Sequence, residues 1–175
     1  LAMLGSCTSK GERKMRAKSP TIDLLLKTTP VKDQGKSSLC WVFAMLATIE
    51  TEHLMRGDSV NLSTAYVSRM ALRQRMQATY LERGRHPLHL RGMASNALTA
   101  IADYGVLAHD TYQVENSSIF GVLTKKIQNA CKLAIAQHEG LDRLNEHFER
   151  LADQSLGALP KAQFMLGAEY TFGEF

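Results

Sequence analysis

The sequence predicts an α+β fold that is mainly helical. Apolar residues recur at helical spacing in several segments between Cys40 and Ala152, and β-like composition is confined to a short stretch from Ala162 to Phe172. The chain has 175 residues, of which 45% are hydrophobic. That length is sufficient for one domain with its own core, or for a large part of a bigger domain.

The charge of the chain does not indicate a nucleic-acid partner. The formal net charge is +4, but the Lys and Arg residues are scattered among acidic ones instead of forming a basic stripe. The densest basic stretch, residues 10–18, precedes the first apolar segment. We interpret it as part of a polar leader that covers residues 1–20.

The opening of the chain admits two interpretations. Apolar residues lead to Gly5-Ser6-Cys7 and then to polar residues. This pattern resembles the end of a bacterial lipoprotein signal, in which Cys7 would carry a lipid anchor in the periplasm or on the outer surface. The alternative is an ordinary leader on a cytoplasmic protein, because no basic stretch and only a few apolar residues precede Cys7.

A loop and a long helix follow the leader. Pro30 and Gly35 bracket the loop. From Cys40 the apolar residues continue with helical spacing until Gly57, which predicts a helix of about four to five turns. Because its first residues are apolar on nearly every side, we expect this helix to be buried.

Capping signals predict two further helices. Ser63 is the expected N-cap of the second, which ends near Gly84. The third spans residues 93–104, with Leu98 among the residues on its apolar side and Gly105 just after its end.

Two amphipathic helices are predicted between Leu123 and Ala152, separated near Gly140. Together they indicate a helical hairpin, which we assign to residues 122–156 or thereabouts. We place the hairpin as an insertion in a domain that spans residues 21–175.

Cys40 is a candidate nucleophile because it opens a helix. A cysteine attacks as a thiolate, and the unpaired N–H groups at a helix N-terminus favour the charged form. The Cys40 N–H and the side-chain amide of Gln34 on the preceding loop can both donate to an oxyanion. Trp41, the only Trp of the chain, is expected to pack beside the site, and a role in the core alone is the alternative.

The segment from Pro30 to Ala44 reads Pro-Val-Lys-Asp-Gln-Gly-Lys-Ser-Ser-Leu-Cys-Trp-Val-Phe-Ala. It resembles the nucleophile segment of the papain superfamily in its Gln-to-Cys spacing, its Cys-Trp pair and its aromatic-Ala pair. Glu50 and Leu62-Ser63 continue the resemblance. Ser37 stands where papain has a disulfide cysteine, so the chain is more similar to the bleomycin hydrolase and aminopeptidase C branch, which lacks that disulfide.

The resemblance implies a papain-like cysteine peptidase, a thiol hydrolase of peptide substrates with aminopeptidase preference. This chain would supply the helical lobe, a second part would supply a β-rich lobe, and the cleft would lie between them. Gly92 is implied as a backbone contact to the substrate, and Met93 and Ala94 as residues lining the pocket for the second residue from the cleavage point. Arg91 replaces a glycine that the family usually has. The branch often forms homo-oligomers.

The mechanism also requires a His base and an Asn or Asp that orients it. None of the six histidines is followed by Ala in a late strand-like segment; they are His53, His86, His89, His109, His138 and His147. We therefore expect the His and Asn on a C-terminal part or a second chain. An alternative hypothesis is a non-catalytic papain-like module that binds peptides or a partner protein.

No metal ion or cofactor is expected from the sequence. No set of Cys and His has convincing zinc-ligand spacing, since His86 and His89 form only a lone pair. Cys131 lies among apolar residues and is interpreted as a core residue.

Overall fold

The structure is a computed structural model that describes residues 24–165 and 168–174. This part contains five helices, α1 (Cys40–Met55), α2 (Thr64–Leu81), α3 (Ala94–Tyr104), α4 (Ile119–Ala136) and α5 (Leu141–Leu156). Strands β1 (Gln163–Met165) and β2 (Ala168–Tyr170) pair antiparallel, with Phe164 opposite Glu169. The mainly helical character predicted for this chain is confirmed.

The predicted leader and the candidate lipid anchor at Cys7 lie outside the described residues. No helix in the part of the chain that the structure describes is long and apolar enough to cross a membrane.

Helix α1 begins at Cys40, as predicted, but it is buried on one face only. Its buried residues are Trp41, Val42, Leu46 and Glu50. Cys40, Ala44 and Ala47 are exposed. The expectation that this helix is buried was wrong for its other face. Helices α2 and α3 pack against one side, and the loop of residues 28–32 borders Ala47 without burying it.

Helix α2 is the central element, since it contacts the other four helices. Ser63 is its N-cap, as predicted, and the Ser63 hydroxyl accepts a hydrogen bond from the Tyr66 N–H at 3.0 Å. The helix ends at Leu81, slightly before the predicted position. The chain then turns through Arg83 and Gly84, which both have positive φ.

Helix α3 packs against α1 and α2 through small residues. Ala97 and Ala100 are fully buried, whereas Leu98 is 47% exposed, so its predicted place on the apolar side was wrong. Leu98 lies outside the face of the helix that Ala97 and Ala100 bury. Gly105 follows the helix as predicted, at φ +73°, where a Cβ would overlap the backbone carbonyl of Phe172.

The two helices predicted between Leu123 and Ala152 are present as α4 and α5, which pack against each other. Helix α4 begins earlier than predicted, at Ile119, and α5 ends later, at Leu156. Cys131 is 1% exposed, which agrees with its interpretation as a core residue, and burial raises the pKa of its thiol. The proposed bounds of the hairpin insertion stay a prediction.

Arg69 connects α2 to α5 from inside the core. Its side chain is 1% exposed, and its guanidinium donates to the carboxylates of Glu149 at 2.5 Å and Asp153 at 2.7 Å. It also donates to the Tyr112 hydroxyl and to the Gly157 carbonyl, each at 3.1 Å. Burial lowers the pKa of Arg69, but its hydrogen bonds outweigh burial and raise the pKa above its usual value.

Candidate active site

The Cys40 thiol is at the first position of α1 and is exposed. The preceding residue, Leu39, is 1% exposed, and its carbonyl accepts the first bonds of the helix, from the N–H groups of Val42 and Phe43. Leu39 thereby fixes the start of α1 to the core while Cys40 faces outward. This arrangement gives the thiol both access and the unpaired N–H groups of a helix N-terminus.

Gln34 lies in a tight turn that is held by its backbone. Its carbonyl oxygen accepts hydrogen bonds from the Ser37 N–H, the Ser37 hydroxyl and the Ser117 hydroxyl. Gly35 takes φ +54°, and its N–H donates to the Asp33 carboxylate at 2.7 Å. Among the described residues, no hydrogen bond involves the side-chain amide of Gln34, which is therefore available to a ligand.

Glu50 anchors the same loop from further along α1. Its side chain is 1% exposed, and its carboxylate accepts hydrogen bonds from the Thr29 hydroxyl, the Lys32 ammonium and the Leu62 N–H. The Lys32 ammonium also donates to the Leu62 carbonyl at 2.9 Å. The buried pair therefore ties the residues before Gln34 to both α1 and the start of α2. The sequence pointed to Glu50 through the family pattern, but it did not predict these partners.

The structure brings Gly92 against the helix that carries Cys40. The Trp41 indole N–H donates to the Leu90 carbonyl at 2.8 Å. A Cβ on Gly92 would lie 2.6 Å from the Trp41 ring, closer than real Cβ contacts allow. Trp41 is thus both a core residue and the support of the segment from Leu90 to Gly92.

Arg75 of α2 also supports the segment from Leu90 to Gly92. Nothing in the sequence pattern pointed to this role. Its guanidinium lies over the Trp41 ring, 5.4 Å from the centroid. It donates to the His89 carbonyl at 2.8 Å and contacts His89 Nδ1 at 2.9 Å. Burial lowers the pKa of Arg75 from its usual high value. After this supported segment, Met93 is 70% exposed and Ala94, the first residue of α3, is exposed as well.

All six histidines are among the described residues, and none hydrogen-bonds to the Cys40 thiol. His53 lies about 20 Å along α1 from Cys40 and contacts the Asp58 carboxylate at 2.9 Å. The Nδ1 atom of His89 contacts the Arg75 guanidinium. His138 and His147 are on the α4–α5 hairpin. No group of three or more His, Cys, Asp or Glu residues in the described part is arranged to hold a metal ion.

The fold of this chain occurs within a larger solved structure. Among solved structures, it is similar to the crystal structure of PepW from Lactobacillus rhamnosis, with a TM-score of 0.61 and 16% sequence identity. The match covers 89% of this chain and 45% of the PepW chain, so the chain spans less than half of PepW. At this identity the likeness shows the fold alone. No family model matches the chain, and no curated protein matches it either.

Proposed function

We propose that the chain supplies the nucleophile and the oxyanion donor of a papain-type cysteine peptidase. The observation that carries the proposal is the exposed Cys40 thiol at the first turn of α1, in a fold similar to part of PepW. The turn that holds Gln34 by its carbonyl while leaving its amide free supports the second role.

In this proposal the Cys40 thiolate attacks the carbonyl carbon of a peptide bond, and the oxyanion accepts hydrogen bonds from the Gln34 amide and the Cys40 N–H. The C–N bond breaks as the leaving amine takes a proton, and water then hydrolyses the thioester. A histidine from outside this chain moves the proton, and an Asn orients it. Aminopeptidase preference is proposed because the sequence resembles the bleomycin hydrolase and aminopeptidase C branch.

The segment from Leu90 to Ala94 is proposed as the substrate-binding edge. Gly92 would pair through its backbone with an extended peptide. The Trp41 ring leaves no space for a side chain at this position, so the backbone is the part of Gly92 that can contact a substrate. Met93 and Ala94 would line the pocket for the second residue from the cleavage point, and their exposure leaves them free to do so.

Labelling with an epoxide peptide mimic tests the proposal. The reagent is incubated with the chain, with and without the remainder of the polypeptide, in a Cys7→Ser background that removes the cysteine outside the described residues. We expect modification at Cys40 and none at Cys131, which is buried. Peptide mass mapping identifies the labelled site.

Two controls make the outcome decisive. Cys40→Ser should abolish labelling, and iodoacetamide should alkylate Cys40 in the chain alone. If the peptide epoxide leaves Cys40 unmodified while the remainder of the polypeptide is present, the peptidase proposal fails. A non-catalytic binding module would then account for the fold.

A further inference from the structure

A cavity of about 300 Å³ lies behind the loop that carries Gln34. Its walls come from that loop, from the first turns of α1 and α2, and from residues 109–120. The volume is at the small end of the range of ligand sites. Neither Cys40 nor Gln34 lines the cavity, so it is separate from the candidate active site.

Three residues that line this cavity carry a buried polar atom without a hydrogen-bond partner. They are Asn61 through Oδ1, Ser68 through Oγ and His109 through Nδ1. Ser68 is 1% exposed. Only six such side-chain atoms occur in the part of the chain that the structure describes, so half of them belong to residues around one cavity. Buried polar groups are normally paired, so a polar group that entered the cavity would find unpaired atoms around it.

The charge of the cavity wall favours a cation. Asp33 and Glu115 line the cavity and are exposed, and neither forms an ion pair with another described residue. Lys32 also lines it, but its ammonium is neutralised by Glu50. The unpaired oxygen atoms of Asn61 and Ser68 can accept hydrogen bonds, and the unpaired Nδ1 of His109 can do so in one ring tautomer.

The remaining walls are apolar and suit a short aliphatic stem. Leu39, Phe43 and Phe120 line this side of the cavity. An ammonium group has three donors and no acceptor, which matches the accepting atoms and the two carboxylates. A short alkyl stem would pack on the apolar side.

We propose that this cavity is a binding site for a primary ammonium group on a short aliphatic stem. The group is supplied either by a free amine or by a lysine side chain of a peptide. Ser117 lines the cavity and donates to the Gln34 carbonyl, so an occupant would touch a residue that holds the oxyanion donor. Binding at this site does not depend on the peptidase proposal.

Calorimetric titration of the chain with cadaverine tests the proposal, with pentanol as a neutral match of similar length. We expect saturable binding of cadaverine and none of pentanol. N-acetyl-lysine amide is titrated in parallel to distinguish a peptide lysine from a free amine. Binding by either amine supports the site, whereas equal binding of pentanol, or no saturable binding of either amine, overturns it.

Two variants sharpen the test. Asp33→Asn combined with Glu115→Gln should weaken amine binding about tenfold or more, while Glu146→Gln, an exposed carboxylate on α5, should not change it. Ser68→Ala removes an unpaired buried hydroxyl, so it should raise the melting temperature of the free chain and yet weaken amine binding. Unchanged amine affinity in both cavity variants would contradict the proposal.

Discussion

Gln34 is fixed through its carbonyl oxygen, which accepts hydrogen bonds from Ser37 and Ser117. Its side chain takes no part in holding the turn. Removing the amide should therefore leave the loop in place while removing one proposed donor to the oxyanion. This separation of roles makes Gln34 a good position at which to test chemistry without disturbing the fold.

Gln34→Ala should lower kcat of the complete enzyme by about 10²- to 10³-fold, with little change in KM, because the lost donor acts on the oxyanion. Steady-state kinetics on a fluorogenic peptide measures the effect. Alkylation of Cys40 by iodoacetamide should keep its rate, since that reaction forms no oxyanion. A kcat within about threefold of the parent enzyme would remove Gln34 from the mechanism.

Gly92→Ala should destabilise the chain by about 1 to 3 kcal/mol, because its Cβ would lie 2.6 Å from the Trp41 ring and 2.7 Å from the Arg75 guanidinium. Urea unfolding measures the change. Gly121→Ala in α4 is the matched control, since nothing lies within 4 Å of its Cβ, and it should stabilise the helix by about 0.5 kcal/mol or more. If both substitutions changed the free energy of unfolding in the same direction, the close packing at Gly92 would be contradicted.

The candidate site divides into residues that the sequence could identify and residues that it could not. Gln34, Cys40 and Trp41 belong to one continuous segment, so their spacing is visible directly. Arg75 is one of several Arg residues on α2, and nothing local distinguishes it from a solvated side chain. Its contact with Trp41 exists only because α1 and α2 pack together, and packing is not encoded in a short window.

At the scale of elements, the buried Arg69 joins α2 to the hairpin of α4 and α5. Arg69→Met keeps the volume but removes all donors. Asp153 then loses its cation, while Glu149 keeps the Arg73 guanidinium at 3.2 Å. Both carboxylates keep partial contact with water, at 33% and 45% exposure. We therefore expect a loss of about 2 to 3 kcal/mol in the free energy of unfolding, at the lower end of the cost of breaking a buried pair.

Arg56→Met, at the residue that follows α1, is the control for this experiment. It breaks the Arg56–Glu52 pair, whose side chains are 71% and 60% exposed, and should cost less than about 0.5 kcal/mol. Urea unfolding followed by circular dichroism compares the two variants. An Arg69→Met effect no larger than that of the control would show that the buried cluster contributes little to stability.

Tyr66 should make the stability of the folded chain depend on pH in the alkaline range. Burial raises the pKa of Tyr66 from 10.0 to about 12. Between these values the folded chain binds more protons than the unfolded chain, so the free energy of unfolding should fall as pH rises through this window. Below the unfolded pKa this contribution is fully present.

Tyr66→Phe should weaken the alkaline dependence, while the lost bond to the Tyr104 carbonyl costs about 1 kcal/mol at neutral pH. Part of the dependence remains, because burial also raises the pKa of Tyr112. Urea unfolding at pH values from about 8 to about 12 gives both effects. If the stability of Tyr66→Phe fell as steeply with rising pH as that of the parent chain, groups other than Tyr66 would be responsible for the dependence.

Helices were predictable from spacing and capping because both signals are local. Ser63 as N-cap and Gly105 after α3 were found where their side-chain and backbone properties require them. The start of α4 was missed because Ser117 and Ser118 give the preceding segment a loop-like composition. Leu98 was misplaced because α3 packs through its alanines, a preference that depends on how closely its neighbours approach.

At the scale of the whole molecule, α1 has two faces with different surroundings. One face packs against α2 and α3, while Ala44 and Ala47 on the other are exposed. Met55 at the end of the helix is 64% exposed, and Leu26, which borders the same surface as Ala47 and Met55, is 43% exposed. An apolar surface of this kind is typical of an interface with another domain or chain, which agrees with the proposal of a second lobe.

Ala47→Asp should leave the stability of this chain nearly unchanged and weaken its association with the remainder of the polypeptide about a hundredfold, because an unpaired carboxylate would be buried there. Analytical ultracentrifugation of the separately produced parts measures the association. Ala102→Asp, on the exposed side of α3, is the matched control and should associate normally. Equal association of both variants would place the second lobe elsewhere.

The hydrogen bonds of Glu50 also bear on the order in which the chain folds. Its three donors come from Thr29, Lys32 and Leu62, which are brought together only when α1 has formed and α2 has docked beside it. We therefore expect the loop that carries Gln34 to settle late in folding. A partly folded chain would hold an exposed thiol beside a loop without its anchor, so the proposed hydrolysis should require the helices around Glu50 to be assembled first.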